Sequence, residues 1–465
     1  MAVALTHLQA RSIGVFGLAR SGLATIRAAV AGRAAEVFAW DDKEDARRTG
    51  EALGGQPVPP EEWPWQDLGA LVLSPGVPLT HPAPHPIVGM ARGAGVEVIC
   101  DIELLWREAN GSARFVAITG TNGKSTTTAL IGHVLETAGL TVSVGGNIGR
   151  AALDLEAPDE GRVYVLEMSS YQLDLTRRFR PDVAVWLNLT PDHLDRHGDL
   201  AGYARAKAHI LLNMRASDTA VLGVDEPEMQ AVAVALKNAG RPRAVTVSVE
   251  RHRDASLYVD GDGNLFEGGA ETVSFAGLPA LRGTHNWQNA AVTLAAAKAL
   301  GVDDAAIVEA MRSFPGLAHR MEIVGRRGRV IFVNDSKATN ADAAARALAT
   351  FDPVYWIAGG QAKAGGIDSL ADFFPRIAKA YLVGAAADAF SATLARRVPH
   401  VIAGDLAAAV AMAASDAALD GRPEPAVLLS PACASFDQFA DFEARGEAFR
   451  QAFDALDENL MEAVA

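Results

Sequence analysis

The run from Ala117 to Thr128 sets Gly120 and Gly123 around Thr121 and Asn122 and follows them with Lys124, Ser125 and Thr126. These residue types suit one chemistry. Small residues let successive backbone N–H groups turn toward phosphate oxygens, and a helix opening at Lys124 adds the positive end of its dipole. Lys124 can then reach the outer phosphates, and Ser125 can offer a hydroxyl to Mg²⁺. The segment therefore predicts a nucleoside triphosphate site. The match to the general phosphate-loop pattern is imperfect, since Ile118 stands where its first glycine belongs. A glycine-rich turn carrying a solvated lysine is the competing reading, but a lysine followed by Ser125 and three threonines at a helix start has no packing rationale.

Further chemistry-bearing residues fall at other strand ends. Glu167 closes the apolar run Val163 to Leu166 and precedes Ser169, Ser170, Tyr171 and Gln172. Beyond the carboxyl end of a strand such a carboxylate can hold Mg²⁺, although alone it could equally pair with a surface lysine. The stretch Asn188 to His197 supplies Asp192, Asp195, His193 and His197. Zinc is open to these residues, while Mg²⁺ fits better beside a nucleotide. Asn147, in the turn Gly145 to Gly149, can offer its amide to a phosphate or carbonyl. Asp101 and Glu103 fall in a predicted linker helix and are read as solvated. The turn Gly14 to Gly22 lacks the glycine spacing of dinucleotide folds, which disfavours hydride transfer.

The elements that must position these residues alternate between apolar strand-like runs and Ala-rich helical ones, predicting an α/β protein with parallel sheets. At 465 residues and 49% hydrophobic content, two or three domains are expected. Three blocks can be drawn, at 1–109, 110–313 and 314–465. The first reads as half a doubly wound fold, with strands at Ser12 to Phe16, Glu36 to Trp40 and Ala70 to Leu73. Val245 to Phe275, broken by two Asp-Gly pairs, reads as β-hairpins appended to the central block. The third block repeats the alternation around Val330 to Val333, Val354 to Ile357, Tyr381 to Val383 and Val427 to Leu429.

A net charge of -14 argues against nucleic-acid and anionic-membrane partners, so an anionic substrate needs local donors. The neighbourhoods Arg107 to Arg114 and Arg326 to Arg329 are read as solvated faces or domain junctions. Cys100 and Cys433 are the two cysteines, far apart, which argues against a disulfide scaffold or a cysteine zinc site. Neither a signal peptide nor an apolar run long enough to span a bilayer is legible. A cytoplasmic protein without membrane insertion is expected.

The compressed loop Thr119 to Ser125 resembles that of the Mur ligases and folylpolyglutamate synthetases, which join an amino acid to a carboxylate using ATP. Gly120 to Thr127, Gly145 to Gly149, Glu167 to Gln172, Asp192 to Arg196, Gly283 to Asn289, His319-Arg320, Asn334 to Asn340 and Ser430 to Asp437 occur in Mur ligase order. The resemblance covers almost the whole chain. It implies a Rossmann-like N-terminal domain for a UDP-linked substrate, a central P-loop ATPase domain, and a Rossmann-like C-terminal domain that must close. Within the family, the segments 334–340 and 430–437 resemble those of members that add D-glutamate to UDP-N-acetylmuramoyl-L-alanine. A monomer is expected.

Carried over residue by residue, the resemblance gives Lys124 to the phosphates, Ser125 and Glu167 to Mg²⁺, and His193 to a further Mg²⁺. Lys207 falls where the family carries a carbamylated lysine that bridges metal; an ordinary helix-surface lysine is the alternative. Asn286 and Asn289 would lie near the adenine or phosphates, Arg320 near the γ-phosphate and Asp335 on the ribose. Lys363 and Thr339 would hold one carboxylate of D-glutamate, and Ser430 with the Phe436 backbone the other, while Lys337 lines the site. Arg20, Ser21, Asp41, Asp42 and Lys43 would meet the UDP group, with Ser74, Gly76 and Asn147 on its diphosphate side and Gln172 among the substrate contacts. The family's usual Asp-Thr-Arg is replaced here by Asp41-Asp42-Lys43. A sister ligase, a folylpolyglutamate synthetase and a noncatalytic nucleotide-binding regulator are the alternatives; the UDP-directed first domain and Ser430 to Asp437 argue against folate.

Overall fold

The computed structural model describes residues 2–250, 252–278, 280–362 and 365–456. Three sheets follow one another along the chain. The chain forms two compact units: Met1–Leu278 with Thr284–Phe314 carries the first two sheets, and Pro279–Gly283 with Pro315–Ala465 carries the third.

The first sheet has four parallel strands in the order Val37–Trp40, Ser12–Phe16, Leu68–Leu73, Val98–Ile99. Its inner strands, Ser12–Phe16 and Leu68–Leu73, are mostly apolar and buried along most of their length. The helix Arg20–Ala31 packs close to the turn after the first strand. A Cβ on Gly22 would lie 2.1 Å from the Gly17 carbonyl oxygen, so only glycine allows that approach.

The second sheet has nine strands among the described residues, and the four at one end of it matter most. Arg114–Thr119 lies between Val163–Glu167 and Val183–Trp186, with Val142–Gly146 beyond Glu167. All four run parallel. The register sets Ile118 beside Glu167, Thr119 beside Trp186 and Gly146 beside Glu167, so the loops that follow emerge together from one sheet edge. The reading of 245–275 as appended hairpins holds for 257–274 and needs correction only for the strand before it. Arg243–Ser248 and Leu257–Val259 extend the same sheet in parallel, and Leu257–Val259, Asn264–Glu267 and Ala270–Ser274 then form two successive antiparallel hairpins. Both Asp-Gly pairs fall in the single turn between Leu257–Val259 and Asn264–Glu267.

The third sheet runs Glu322–Arg327, Val330–Asn334, Ala426–Leu429, Val354–Gly359, Ile377–Val383, His400–Gly404, antiparallel only at its first pair. The two outermost strands escaped the sequence reading because their apolar stretches, Ile323-Val324 and Val401-Ile402-Ala403, are only two and three residues long.

The linker helix Asp101–Ala109 overturns the expectation of solvated carboxylates. Asp101 is 2% and Glu103 0% exposed. The Glu103 carboxylate accepts the backbone N–H groups of Arg177, Arg178 and Phe179 at 2.9 to 3.1 Å and the Arg107 Nε at 2.9 Å. Arg107 also forks onto Glu97, so it is an internal strut and not a solvated charge. Burial pushes the Asp101 carboxyl up to about 6. Replacing Glu103 by alanine leaves the Arg177, Arg178 and Phe179 N–H groups without their acceptor and Arg107 with Glu97 alone. We expect Glu103→Ala to cost about 3 kcal/mol in urea unfolding, whereas replacing the exposed Glu51 should change little.

Candidate active site

The loop after Arg114–Thr119 enters the helix Lys124–Thr137 at Gly123, whose φ of +83° is costly for any other residue. A Cβ there would also lie 2.7 Å from Asn289 Oδ1. The first turn of the helix is polar yet buried, with Thr127 and Thr128 at 0% exposure. Thr127 Oγ1 donates to Asn289 Oδ1 at 3.1 Å, and Asn289 Nδ2 to Asn286 Oδ1 at 3.1 Å, which ties the helix Thr284–Ala299 to the loop. Asn289 is thus held against the helix that follows the phosphate loop, with Asn286 bonded to it.

A residue that the sequence reading left without a role holds the loop from the other side. Asn188 Oδ1 accepts the N–H groups of Thr121 at 3.0 Å and Asn122 at 2.8 Å, and its Nδ2 donates to the Asn122 carbonyl at 3.2 Å. Those two N–H groups are therefore turned toward Asn188. Lys124 Nζ curls back to the Gly120 and Thr121 carbonyls at 3.0 and 2.9 Å. Lys207, on the helix Leu200–Ala208, reaches the same Gly120 carbonyl at 2.7 Å and Thr119 Oγ1 at 3.3 Å. It is 1% exposed, so it is no surface lysine. Burial, reinforced by Lys124, pushes its pKa well below the usual lysine value.

Glu167 is 3% exposed, and Asn147 Nδ2 donates to its Oε1 at 2.8 Å. Its Oε2 is buried with no hydrogen-bond partner, a carboxylate oxygen at the sheet edge with capacity for a cation. His193 begins a short helix with a left-handed φ of +52°, Nε2 3.5 Å from Asp192 Oδ2 and its ring 5.1 Å from that of Tyr171. Gln172 spends its Oε1 in a capping box with Ser169.

In the first sheet, Arg20 donates to the Gly149 carbonyl at 2.7 Å and Ser21 Oγ lies 3.1 Å from Ser74 Oγ. Asp41 accepts from the backbone of Leu18 and Lys43 at 2.7 and 2.9 Å, and Asp42 and Lys43 are exposed.

In the third-sheet unit, Ser430 donates to Asp335 Oδ2 at 2.8 Å while the Met321 N–H donates to Oδ1 at 3.2 Å. Burial pushes the Asp335 carboxyl up to about 7. The structure thus joins two residues that sequence reasoning set on different ligands. Lys337 lies 5.1 Å from the Phe442 ring, a neighbour the sequence did not single out. Arg445, also missed, is 2% exposed and binds Ser336 Oγ, Ser336 O and Cys433 O at 2.8 to 3.1 Å, joining the segments 334–340 and 430–437. Thr339 is half-buried and Phe436 is 71% exposed. Lys363 lies outside the described residues. His319, Met321 and Ala432 hold positive φ around this cluster, the kind of strain found at functional sites.

Residues 118–297 match the model of the Mur ligase middle domain and 319–433 that of the Mur ligase glutamate ligase domain. The UDP-N-acetylmuramoylalanine–D-glutamate ligase of a Caulobacter species is 52% identical over 459 aligned residues, covering 96% of this chain and 97% of that protein. The chain belongs to the Mur ligase family. Enzymes of the same name from Brucella abortus and Mesorhizobium japonicum are 51% and 52% identical to this Mur ligase, over 98% and 96% of its length and of theirs. The fold matches that of UDP-N-acetylmuramate-alanine ligase from Thermotoga maritima, with TM-score 0.56, 17% identity and coverage of 96% and 99%. It also matches a UDP-N-acetylmuramoyl-L-alanyl-D-glutamate–2,6-diaminopimelate ligase, with TM-score 0.57, 19% identity and coverage of 98% and 95%.

Two outcomes follow for this Mur ligase. Gly123→Ala should lower ADP affinity more than tenfold by calorimetry while the fold persists, because the strain falls on the loop. Asp335 keeps a proton up to about pH 7 when folded but releases it near 3.8 when unfolded. Its contribution to stability is full below 3.8 and is lost as pH rises through 7. Urea midpoints of Asp335→Asn should therefore fall less than those of the wild type across that window.

Proposed function

We propose that this Mur ligase joins D-glutamate to UDP-N-acetylmuramoyl-L-alanine at the expense of ATP, as a step of peptidoglycan synthesis. The observation that carries the reading is identity above 50% to D-glutamate ligases over nearly the full chain, with Lys124, Glu167 and Lys207 gathered at one sheet edge. The L-alanyl carboxylate attacks the γ-phosphorus of ATP and expels ADP, giving an acyl phosphate. The amine of D-glutamate then attacks the acyl carbon; phosphate leaves with the C–O bonding pair, and the amine gives up a proton.

Lys124 and the N-terminal turn of its helix hold phosphate oxygens, and their fixed positive ends stabilise charge as it moves to the leaving group. Among the described residues no group of three or more His, Cys, Asp or Glu is arranged to hold a metal ion. That fits Mg²⁺, which takes one or two carboxylates and completes its shell with phosphate oxygens and water. Glu167, through its unpartnered Oε2, and Ser125 would hold it, with His193 and Lys207 at a second position. Bound there, Mg²⁺ would neutralise charge between two anions that repel.

Burial lowers the Lys207 pKa well below the usual lysine value, which favours the neutral amine that can attack carbon dioxide and lose a proton to become a carbamate. Arg320 and Asp335 serve the nucleotide, and Lys337, Thr339, Lys363, Ser430 and Phe436 the amino acid. Two anchored carboxylates select a dicarboxylic amino acid, because a shorter or uncharged side chain leaves donors unpaired. The division at 1–109, 110–313 and 314–465 assigns the UDP-linked substrate, ATP and the amino acid to successive domains. The reading is of a cytoplasmic monomer acting on soluble substrates; no helix among the described residues is long and apolar enough to cross a membrane.

Phosphate release with ATP, Mg²⁺ and UDP-N-acetylmuramoyl-L-alanine should require D-glutamate, and L-glutamate, glycine, L-alanine and meso-diaminopimelate should not replace it. Release with another amino acid alone would move the specificity to a sister ligase. Lys124→Ala should abolish turnover without unfolding. Labelled bicarbonate should give a carbamate carbon signal by NMR that Lys207→Ala lacks.

A further inference from the structure

Arg196 follows the His193 segment, yet its guanidinium is spent elsewhere. Nη1 donates to the Gly76 carbonyl at 3.1 Å, and Nη2 to the carbonyls of Pro75 at 3.4 Å and Val77 at 3.1 Å. Three successive carbonyls are thus turned toward one cation. Among the described residues Arg196 has no carboxylate within ion-pair distance, so this is not a salt-bridge strut. Its own place is fixed by the Tyr171 ring, 4.5 Å away.

In a trans peptide the N–H points opposite the carbonyl. Turning the Pro75 carbonyl to Arg196 therefore directs the Gly76 N–H to the far side of the loop. The turn is closed by the Val77 N–H on the Ser74 carbonyl at 2.9 Å. Ser74 in turn meets Ser21 Oγ at 3.1 Å, in the first turn of the helix Arg20–Ala31, the end of a helix that attracts anions. A Cβ placed on Gly76 would meet nothing within 4 Å, so the space beside it is open.

We propose that Arg196 is a positioning residue for the diphosphate of the UDP-linked substrate, acting through the loop 74–77 that it holds. The inference rests on the function proposed above. Arg196 touches no substrate atom. It orients the loop dipoles so that an N–H end meets the anion, and it ties that loop, through Tyr171, to the segment bearing His193, whose ring lies 5.1 Å from that of Tyr171.

The test is calorimetric titration of the full-length protein, its Arg196→Ala and its Arg196→Lys forms with UDP and separately with ADP, alongside steady-state kinetics. UDP affinity should fall about tenfold in Arg196→Ala and less in Arg196→Lys, since a point charge holds fewer carbonyls than a planar fork. ADP affinity should stay within about twofold, and the KM for UDP-N-acetylmuramoyl-L-alanine should rise more than kcat falls. Added methylguanidine should restore part of the UDP affinity of Arg196→Ala. Unchanged UDP affinity in a variant with a lowered melting temperature would make Arg196 a structural strut and overturn the proposal. An equal loss of ADP affinity would overturn it too. Wild-type protein that binds ADP but neither UDP nor the UDP-linked substrate would instead remove the functional reading on which the proposal stands.

Discussion

Two lysines share one carbonyl. Lys124 and Lys207 both donate to the Gly120 oxygen, at 3.0 and 2.7 Å, just beyond the carboxyl end of the strand Arg114–Thr119. Two ammonium groups so close repel strongly at low dielectric, so one must yield its proton or acquire a counter-charge. Burial decides which: Lys207 is enclosed, while Lys124 is half-buried in the loop. Much of the site is organised around that asymmetry. Glu167 and Asp192 lean toward Lys207 as compensating charges, and Tyr203 lays its ring 4.6 Å from the Lys207 amine.

Three carboxamides tie the same edge together. Asn188 fastens the loop from one strand end, Asn147 fastens Glu167 from another, and Asn289 fastens the helix start from behind. A loop shaped before its ligand arrives loses less conformational freedom on binding, so more of the interaction appears as affinity. Carboxamides suit this work, since each carries donor and acceptor without adding charge to a site that already holds several.

The legible part of the sequence was the part governed by local rules. Buried parallel strands announce themselves as apolar runs, and the glycines of 120–123 announce a turn, so the sheets and the phosphate loop could be placed before the fold was known. Asp101, Glu103 and Arg107 were misread because charge predicts exposure unless a partner distant in sequence is supplied, and the partners of Glu103 are backbone groups more than seventy residues away. Arg445 escaped for the same reason, as its neighbours at Ser336 and Cys433 come from two other loops. Edge strands such as His400–Gly404 lacked the burial that would have given them a pattern. The pairing of Ser430 with Asp335 could not be read at all, because it depends on adjacent parallel strands setting their ends side by side.

The buried Glu103 clamp also bears on how the molecule comes apart. The linker helix seals part of the first two sheets' shared core, with Ile102, Leu104 and Leu105 at 0% exposure, and its carboxylate satisfies amides that belong to the second. Amide hydrogens at Arg177, Arg178 and Phe179 lose their shared acceptor when that helix lifts away. The helix makes the two sheets a single cooperative block for exchange, in which a break at the linker is felt by both cores at once.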